Sequence, residues 1–600
     1  MQAYKFLTSL TAGNSRRSKI FWFSLSMAFS FTFALIALRI AFSHNYMIQD
    51  DARQHVFWMW RFIDPQIYPD NLMADYFQSV AQPGYAALYR LASFVGIEPI
   101  IFNKILPPIL GLIATAYCFG TVMQILPVPV AGFIGSAILN QSMWLKDDLI
   151  SGTARAFLYP LVLAFFYYLL RRSLWPTLFV LLLLGLIYPL PLLICAGILV
   201  LRLFYWRDGR LGLSRQKSDY LFTGAGLGLI FLVLLPAVIG TSEYGPTVTV
   251  EQAREMAEFS EQGRNFFFVS NPIRYWLYAE RSGFFPVEWS RLPYSYFPIM
   301  FAVGLLLPLL TRFPERFPLL KKMTSNVFLL PQLALVSTAL FLAAHTLLFK
   351  LYLPSRYTQY SMRILMAISA GIVLTVVWDA VVRACAPRAN SHFKAKPLVA
   401  LVFTVFLSAV LLSYPIAVKA NENYNFKRIF SYREGQHPKL YKFLKKQPKD
   451  ILIASTVIQE SSLSMSLAKR SLLVTREHSI AYHTAYYNEI RQRATDTIEA
   501  QYSPDLDTAK QFIEKYGIDF WLVDRDYLRS PRREVEKGKK SFGDRAYKWM
   551  MQFPGTAEAE KRAEQGIVPA LARLVERCSV VEQRKLVVLE ASCILEANGE

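Results

Sequence analysis

Long apolar runs fill most of the first 418 residues, and they constrain the fold more than any other feature. A segment needs about 20 mostly apolar residues to cross a bilayer. Ten runs approach or exceed that length: 20–42, 105–126, 128–143, 156–170, 175–204, 220–240, 293–311, 326–349, 362–383 and 397–418. Since 54% of the 600 residues are hydrophobic and only 18% are charged, the composition argues against a disordered chain and against an ordinary soluble enzyme.

Cations between the runs predict the orientation, because positively charged loops stay in the cytoplasm. The clusters are Arg16–Lys19, Arg171–Arg172, Arg202–Lys217, Arg312–Lys322 and Arg383–Lys396. If the N-terminus is cytoplasmic and successive loops alternate between the two sides, the run 175–204 must cross the membrane twice. We predict that it turns near Tyr188–Pro191, where prolines interrupt a helix. We therefore predict a polytopic α-helical membrane protein with about eleven transmembrane helices, the first an uncleaved anchor. These loops also explain the net charge of +21, so no nucleic-acid partner is expected.

The same alternation predicts which segments lie outside the membrane on the extracytoplasmic side. They are the loops 43–104, 144–155, 241–292 and 350–361 and everything after 418. From there, short apolar runs alternate with amphipathic stretches, which is typical of strands and helices in an α/β domain. The sequence thus predicts a transmembrane domain over 1–418 and an extracytoplasmic α/β domain over 419–600. A disulfide between Cys578 and Cys593 is chemically allowed there, and the sequence leaves that pairing open.

Two acidic pairs follow apolar runs on this predicted outer face. Asp50 and Asp51 come after the first run, and Asp147 and Asp148 occupy the next outer loop. Carboxylates at a membrane face are costly to bury, so two pairs on one side favour a shared cavity. Carboxylates held there can take a proton from a hydroxyl or hold a divalent cation against a phosphate. The alternative for the first pair is a solvated helix cap.

Arginines accompany these acids. Arg356 lies in a third outer loop, and Arg155 follows the second acidic pair. A guanidinium presents paired donors that suit phosphate, whereas the alternative for Arg356 is an interfacial anchor that snorkels outward. Asp50, Asp148 and His55 are candidate metal ligands, although a lone histidine near an interface is more often structural.

Acids from two outer loops, an arginine from a third and a large exported tail resemble the GT-C superfamily of membrane glycosyltransferases. The segment Asp50–Arg53 is similar to the Asp-Glu-x-Arg pattern of aminoarabinose and protein-mannosyl members. The WWDxG signature of oligosaccharyltransferases is absent, which argues against transfer to peptide asparagine. The resemblance implies that Asp50 is the catalytic base, that Asp51 supports it, and that Asp147 or Asp148 positions the acceptor or a metal ion.

The resulting hypothesis is an inverting GT-C-type glycosyltransferase of the bacterial plasma (inner) membrane. It moves a hexosyl or pentosyl group from a polyprenyl-phosphate-linked donor to an acceptor hydroxyl on the extracytoplasmic face. Arg356 and Arg155 are expected to bind the donor phosphate. A divalent cation, Mg or Mn, is the candidate cofactor, and the sequence leaves the metal requirement open. The expected partners are the donor, the bilayer and a glycan, lipid or protein acceptor. A lipid-linked glycan flippase or secondary transporter is the alternative, and a non-catalytic scaffold is a third possibility.

Overall fold

The computed structural model describes residues 14–144, 146–207, 210–287, 299–385, 396–420, 426–532 and 545–597. Parts of the predicted run 293–311, of the loop 241–292 and of the cation cluster Arg383–Lys396 lie outside these residues. Helices make up most of the described chain. It therefore has the helical architecture that the apolar runs predict.

Helices long and apolar enough to cross a membrane occur five times in the described ranges. They are Arg16–Ala41, Pro99–Ile125, Lys217–Pro236, Ser325–Thr346 and Ser355–Ala384. Shorter apolar helices accompany them: Ala154–Leu170, Leu174–Ile187, Leu192–Leu201, Phe301–Leu310 and Leu398–Leu412. A further helix, Pro129–Met143, is buried along nearly its whole length. The polytopic helical class is confirmed, and the count of about eleven crossings stays a prediction.

The chain reverses direction where the sequence predicts a break. One helix ends at Ile187, the next begins at Leu192, and Pro189 and Pro191 lie between them. Arg172, before the first of these helices, and Arg202, after the second, line the same cavity. Both outer ends of the pair thus meet at one end of the bundle, so the two helices form the expected hairpin.

The central helix of the bundle, Ser355–Ala384, packs closely against Pro129–Met143. The two helices cross at Gly135 and Gly371, where a Cβ added to Gly371 would lie 2.6 Å from the Cα of Gly135. Without a hydrophobic driving force in lipid, small residues that let backbones approach are a main source of helix association. This crossing fixes the position of the central helix, which carries Arg356, relative to the rest of the bundle.

The chain after the last apolar helix forms a mixed sheet flanked by helices. Its strands and those earlier in the chain are β1 Met47–Gln49, β2 Phe204–Arg207, β3 Arg210–Leu213, β4 Tyr432–Glu434, β5 Leu452–Ser455, β6 Ser471–Leu472, β7 Phe520–Asp524, β8 Ser579–Gln583 and β9 Leu586–Glu590. The main sheet has the order β6-β5-β7-β9-β8 among the described residues, with β5 parallel to β6 and β7 and with β9 antiparallel to its neighbours. Cys578 and Cys593 form a disulfide beside it.

Shorter helices complete the loops and the carboxyl-terminal part. In the loops they are Ala52–His55, Leu72–Ser79, Pro83–Phe94, Asp147–Ile150 and Val250–Glu255. After residue 425 they are Phe426–Ile429, Pro438–Lys446, Ile458–Ala468, Thr484–Tyr502, Leu506–Tyr516, Arg545–Met550, Gly555–Glu564, Ala570–Cys578 and Ala591–Glu596. The domain boundary at 418 and the side of the membrane on which this part lies stay predictions.

The carboxyl-terminal part docks on the first loop through a strand pair and a buried ion cluster. β1 pairs antiparallel with β4. Beside this pair, the Glu477 carboxylate lies 3.4 Å from Arg53 and 2.8 Å from Arg264. The Gln54 amide donates to the Glu477 carbonyl at 2.8 Å. The cluster connects two loops to the carboxyl-terminal part. Since the Glu477 side chain is only 14% exposed, water screens these ion pairs only weakly.

We expect Gly371→Ala to destabilise the bundle by about 1–3 kcal/mol, the usual range for overpacking a close-packed site. The new methyl would meet the Gly135 backbone, which cannot move aside as a flexible side chain can. Gly224→Ala is the matched control, because an added Cβ there meets no atom within 4 Å. Thermal unfolding in detergent measures both, and equal melting temperatures for the two variants would contradict the proposed crossing.

We expect Glu477→Gln to destabilise the docked carboxyl-terminal part by about 3 kcal/mol, because it removes the carboxylate that buried Arg53 shares with half-buried Arg264. Glu489→Gln removes an exposed i,i+4 partner of Arg493 and should cost less than about 1 kcal/mol. The unfolding midpoint in denaturant gives both values. A Glu477→Gln protein as stable as the Glu489→Gln control would show that the ion cluster does not secure the docking.

Candidate active site

The two adjacent carboxylates of the first loop point to different partners. The Asp50 amide donates to the Ser431 carbonyl at 3.0 Å, which continues the β1–β4 pairing. The Asp50 carboxylate accepts from two nitrogens of Arg433, each at 3.2 Å, and also pairs with Arg53. Asp50 therefore belongs to the contact between the loop and the carboxyl-terminal part.

Asp51 faces the other way, toward the second outer loop. Its backbone amide donates to the Gln49 side chain at 2.7 Å, which fixes the turn into the helix Ala52–His55. Its Oδ2 lies 2.5 Å from Nη2 of Arg155, and its Oδ1 has no hydrogen-bond partner in the described chain. The side chain is 26% exposed, so one carboxylate oxygen remains accessible to a reacting group.

A tight turn in the second loop brings Arg155 to Asp51. Gly152 adopts a φ of +59°, and a Cβ there would lie 2.6 Å from the Asn103 amide nitrogen. That amide donates to the Ser151 carbonyl at 2.7 Å and holds the turn against the helix Pro99–Ile125. Glycine is needed at this position for both its conformation and the close approach.

Arg155 is the common partner of three carboxylates. Besides Asp51, its Nη2 lies 3.6 Å from Asp147 and its Nε lies 3.4 Å from Asp148. Acids from two loops thus converge on one guanidinium, as the two acidic pairs predict. We call the full set the acid–arginine cluster: Asp51, Asp147, Asp148, Lys146, Arg155, Arg356, Tyr360 and Arg363.

Asp148 is the fully buried carboxylate of the cluster. Lys146 lies 3.4 Å and Arg363 3.0 Å from its Oδ2, and the Tyr360 hydroxyl donates to its Oδ1 at 3.3 Å. Burial acts to raise the pKa of Asp148, but the surrounding cations outweigh it and hold the pKa well below its ordinary value. The cations therefore favour the ionised form of this carboxylate, which anchors the cluster.

The central helix contributes one face of the cluster. Arg356, Tyr360 and Arg363 follow an i, i+4, i+7 spacing and so lie on one side of the helix. Arg356 donates to the Tyr360 hydroxyl at 2.9 Å and makes no ion pair with any described residue. The cluster holds three carboxylates and four cations, and Arg356 is the cation without a carboxylate partner. This guanidinium is therefore available to an added anion.

Burial affects the two loop carboxylates differently. It raises the pKa of Asp51 to about 7 against the opposing effect of Arg155, and neighbouring acids add to the rise. The same burial acts on Asp50, but Arg53 and Arg433 outweigh it, so the pKa of Asp50 is lowered. Near neutral pH, Asp51 can exchange a proton, while Asp50 stays ionised.

The predicted metal ligands do not converge. Asp50 and Asp148 are each paired with arginines, and the His55 ring lies edge-on to Phe77 at 5.8 Å. Burial lowers the pKa of His55 to about 4. In the ranges that the structure describes, no three His, Cys, Asp or Glu side chains are placed to hold a metal ion. The candidate set does not fit a divalent cation.

The structure thus brings together Asp51, Asp147, Asp148, Arg155 and Arg356, and it turns Asp50 toward Arg433. The sequence interpretation missed the roles of Tyr360 and Lys146. The helical spacing from Arg356 to Tyr360 was a usable signal. No local pattern pointed to Arg433, because its contact with Asp50 depends on strand pairing between segments almost 400 residues apart.

Comparison with known proteins supports this architecture. No protein-family model matches the sequence, and no curated protein matches it. The apo oligosaccharyltransferase of Archaeoglobus fulgidus superposes with a TM-score of 0.50 at 12% identity, over 94% of this chain and 88% of that one. The same enzyme tethered to an acceptor peptide with an NVT sequon also gives a TM-score of 0.50 at 12% identity, over 84% of this chain and 69% of that one.

A third match is ArnT from Cupriavidus metallidurans in the apo state. It gives a TM-score of 0.41 at 13% identity, over 94% of this chain and 98% of that one. At these identities the likeness shows the fold alone, and the two superpositions at 0.50 carry the argument. Together with the polytopic helical architecture, they show that the chain shares the fold of this oligosaccharyltransferase, which agrees with the predicted resemblance to the GT-C superfamily.

Proposed function

We propose that the chain is an inverting membrane glycosyltransferase that moves a sugar from a polyprenyl-phosphate-linked donor to an acceptor hydroxyl. One observation carries the proposal: the acid–arginine cluster combines a carboxylate that can accept a proton near neutral pH with a guanidinium that has no anionic partner among the residues that the structure describes. The first property suits Asp51 and the second suits Arg356. The fold adds support, because the chain superposes on a membrane oligosaccharyltransferase, which is itself a glycosyl-transferring enzyme.

Asp51 is the proposed general base. Its Oδ1 takes the proton of the acceptor hydroxyl as the hydroxyl oxygen attacks the anomeric carbon of the donor. The bond between that carbon and the phosphate oxygen breaks on the opposite face, so the configuration inverts. Arg155 holds Oδ2 at 2.5 Å and thereby fixes the direction in which Oδ1 points. Asp147, which shares Arg155, is the residue that we propose positions the acceptor.

Asp50 does not suit the base role that the family resemblance implies. Its carboxylate is held by Arg433 through two hydrogen bonds and by Arg53, and its lowered pKa makes it a weak proton acceptor. We assign it a positioning role instead. It fixes the backbone immediately before Asp51 against the carboxyl-terminal part.

Arg356 is the proposed partner of the donor phosphate. When the sugar leaves, the polyprenyl phosphate gains negative charge, and a preorganised guanidinium stabilises that charge without reorganisation. The interaction is stronger in a site with little water, because the effective dielectric is lower there. The Tyr360 hydroxyl, 2.9 Å from Nη1 of Arg356, orients the guanidinium. No step requires a nucleotide or a metal ion.

The side of the membrane is part of the proposal. Cation-rich loops predict that the end of the bundle with Arg172 and Arg202 is cytoplasmic, so the acid–arginine cluster would face the extracytoplasmic side of the plasma membrane. A donor anchored in the bilayer reaches such a site along the lipid. A reporter enzyme fused after residue 425 tests the orientation independently of activity.

We expect Asp51→Asn to reduce sugar transfer by about 10²–10⁴-fold, the usual contribution of general base catalysis. The assay incubates the full chain in nanodiscs with synthetic polyprenyl-phosphate hexoses and pentoses and with a membrane extract as the acceptor source. Thin-layer chromatography follows loss of sugar from the lipid. Asp75→Asn, a partly exposed acid of the same loop that pairs with Arg61, is the control and should keep activity within about twofold of wild type.

Full transfer activity in Asp51→Asn would remove Asp51 from the base role. The enzyme assignment itself would be wrong if wild type moved the lipid-linked sugar across the membrane of proteoliposomes and released no sugar from the carrier. That outcome would identify the alternative function, a transporter.

We expect kcat/KM to rise with pH and to reach half its maximum near pH 7. Asp51 accepts a proton only when ionised, and its raised pKa of about 7 makes the ionised form predominant above that pH. Initial rates from pH 5.5 to 8.5 at constant ionic strength give the profile. The residual activity of Asp51→Asn should lack this inflection. A wild-type profile that falls or stays level across pH 7 would contradict the assignment.

A further inference from the structure

A second charged cavity lies at the opposite end of the bundle from the acid–arginine cluster. The helix Leu158–Leu170 begins three residues after Arg155 and ends beside this cavity. Its 13 residues place the two sites about 20 Å apart, given a rise of about 1.5 Å per residue. The cavity has a volume of about 110 Å³. A water molecule needs roughly 10–15 Å³ on the same scale, so a polyatomic group fits.

The polar wall of the cavity carries one uncompensated cation. Arg172 pairs with Asp219, and the Ser214 hydroxyl also donates to that carboxylate. Arg202 also lines the cavity and makes neither a hydrogen bond nor an ion pair with any residue that the structure describes. It is half-buried, and an unpaired charge away from water is unfavourable. A bound anion would neutralise the unpaired charge of Arg202.

The remaining wall is apolar and borders the lipid. Leu169, Leu199 and Phe222 line the cavity. Phe222 belongs to the helix Lys217–Ile239, whose apolar side chains are mostly half-buried or exposed; Leu221, for example, is 68% exposed. A hydrophobic helix with that exposure faces hydrocarbon in a membrane. The cavity thus combines a guanidinium suited to phosphate with an apolar surface beside the acyl chains.

We propose that this cavity binds the phosphate headgroup of an anionic membrane lipid. Arg202 pairs with the phosphate, and the apolar wall contacts the upper part of an acyl chain. Asp219 opposes the anion and also neutralises Arg172, which lines the same cavity. The site is separate from sugar transfer and stands whether or not the proposed function is correct.

Two substitutions should change lipid binding in opposite directions. Arg202→Gln removes the unpaired cation and should weaken phosphatidylglycerol binding by about tenfold. Asp219→Asn removes the repelling carboxylate and releases Arg172, so it should tighten binding several-fold. Arg215→Gln removes the same charge as Arg202→Gln from an exposed position and should bind within about twofold of wild type. Native mass spectrometry of the full chain in detergent, titrated with phosphatidylglycerol or phosphatidylcholine, gives the affinities.

Retention of phosphatidylglycerol over phosphatidylcholine by wild type, with the two opposite shifts, supports the proposal. Equal binding of the two lipids by wild type would overturn it. So would equal affinities for Arg202→Gln and Arg215→Gln, or weaker binding by Asp219→Asn. If Arg202→Gln does not fold, Asp219→Asn alone decides, because loss of structure cannot tighten binding. Inorganic phosphate that displaces phosphatidylglycerol at equal concentration would assign the cavity to a soluble anion instead.

Discussion

One guanidinium makes the proposed active site possible. Arg155 contacts Asp51 from the first loop and Asp147 and Asp148 from the second. Three carboxylates this close repel one another, and the repulsion grows where water is scarce. Without a shared cation, the two loops would be driven apart. With it, they meet over the central helix, and the remaining parts of the site can be arranged around them.

The surroundings then give chemically identical groups different tasks. Asp148 is buried among three cations and stays charged, so it serves as an anchor. Asp51 keeps one unpartnered oxygen and a raised pKa, so it can exchange a proton. Among the cations, Arg363 pairs with Asp148, whereas Arg356 keeps a capacity for an external anion. Two residues of one type, made different by their environments, are what acid–base chemistry at neutral pH requires.

The sequence predicted the parts of this protein that depend on local pattern. The bilayer requires about 20 apolar residues per span, so the helices and the reversal near Pro189 were visible. So were the two acidic pairs, Arg155 and Arg356. The sequence did not show which of Asp50 and Asp51 faces the cluster, because this depends on how β1 pairs with β4. Asp50 continues the pairing through its amide bond to Ser431, whereas Asp51 begins the turn into the helix Ala52–His55, so this long-range pairing decides which carboxylate faces the cluster.

This dependence makes the carboxyl-terminal part a component of the proposed site. β4 pairs with β1, and Arg433 holds Asp50, the residue directly before Asp51. Glu477 adds a second attachment through Arg53, two residues after Asp51. The residues on both sides of the proposed base are thus held by partners that lie 383 and 424 residues further along the chain. Since a misplacement of about 1 Å can cost about 10²-fold in rate, proton transfer at Asp51 would depend on that docking as much as on the loop itself.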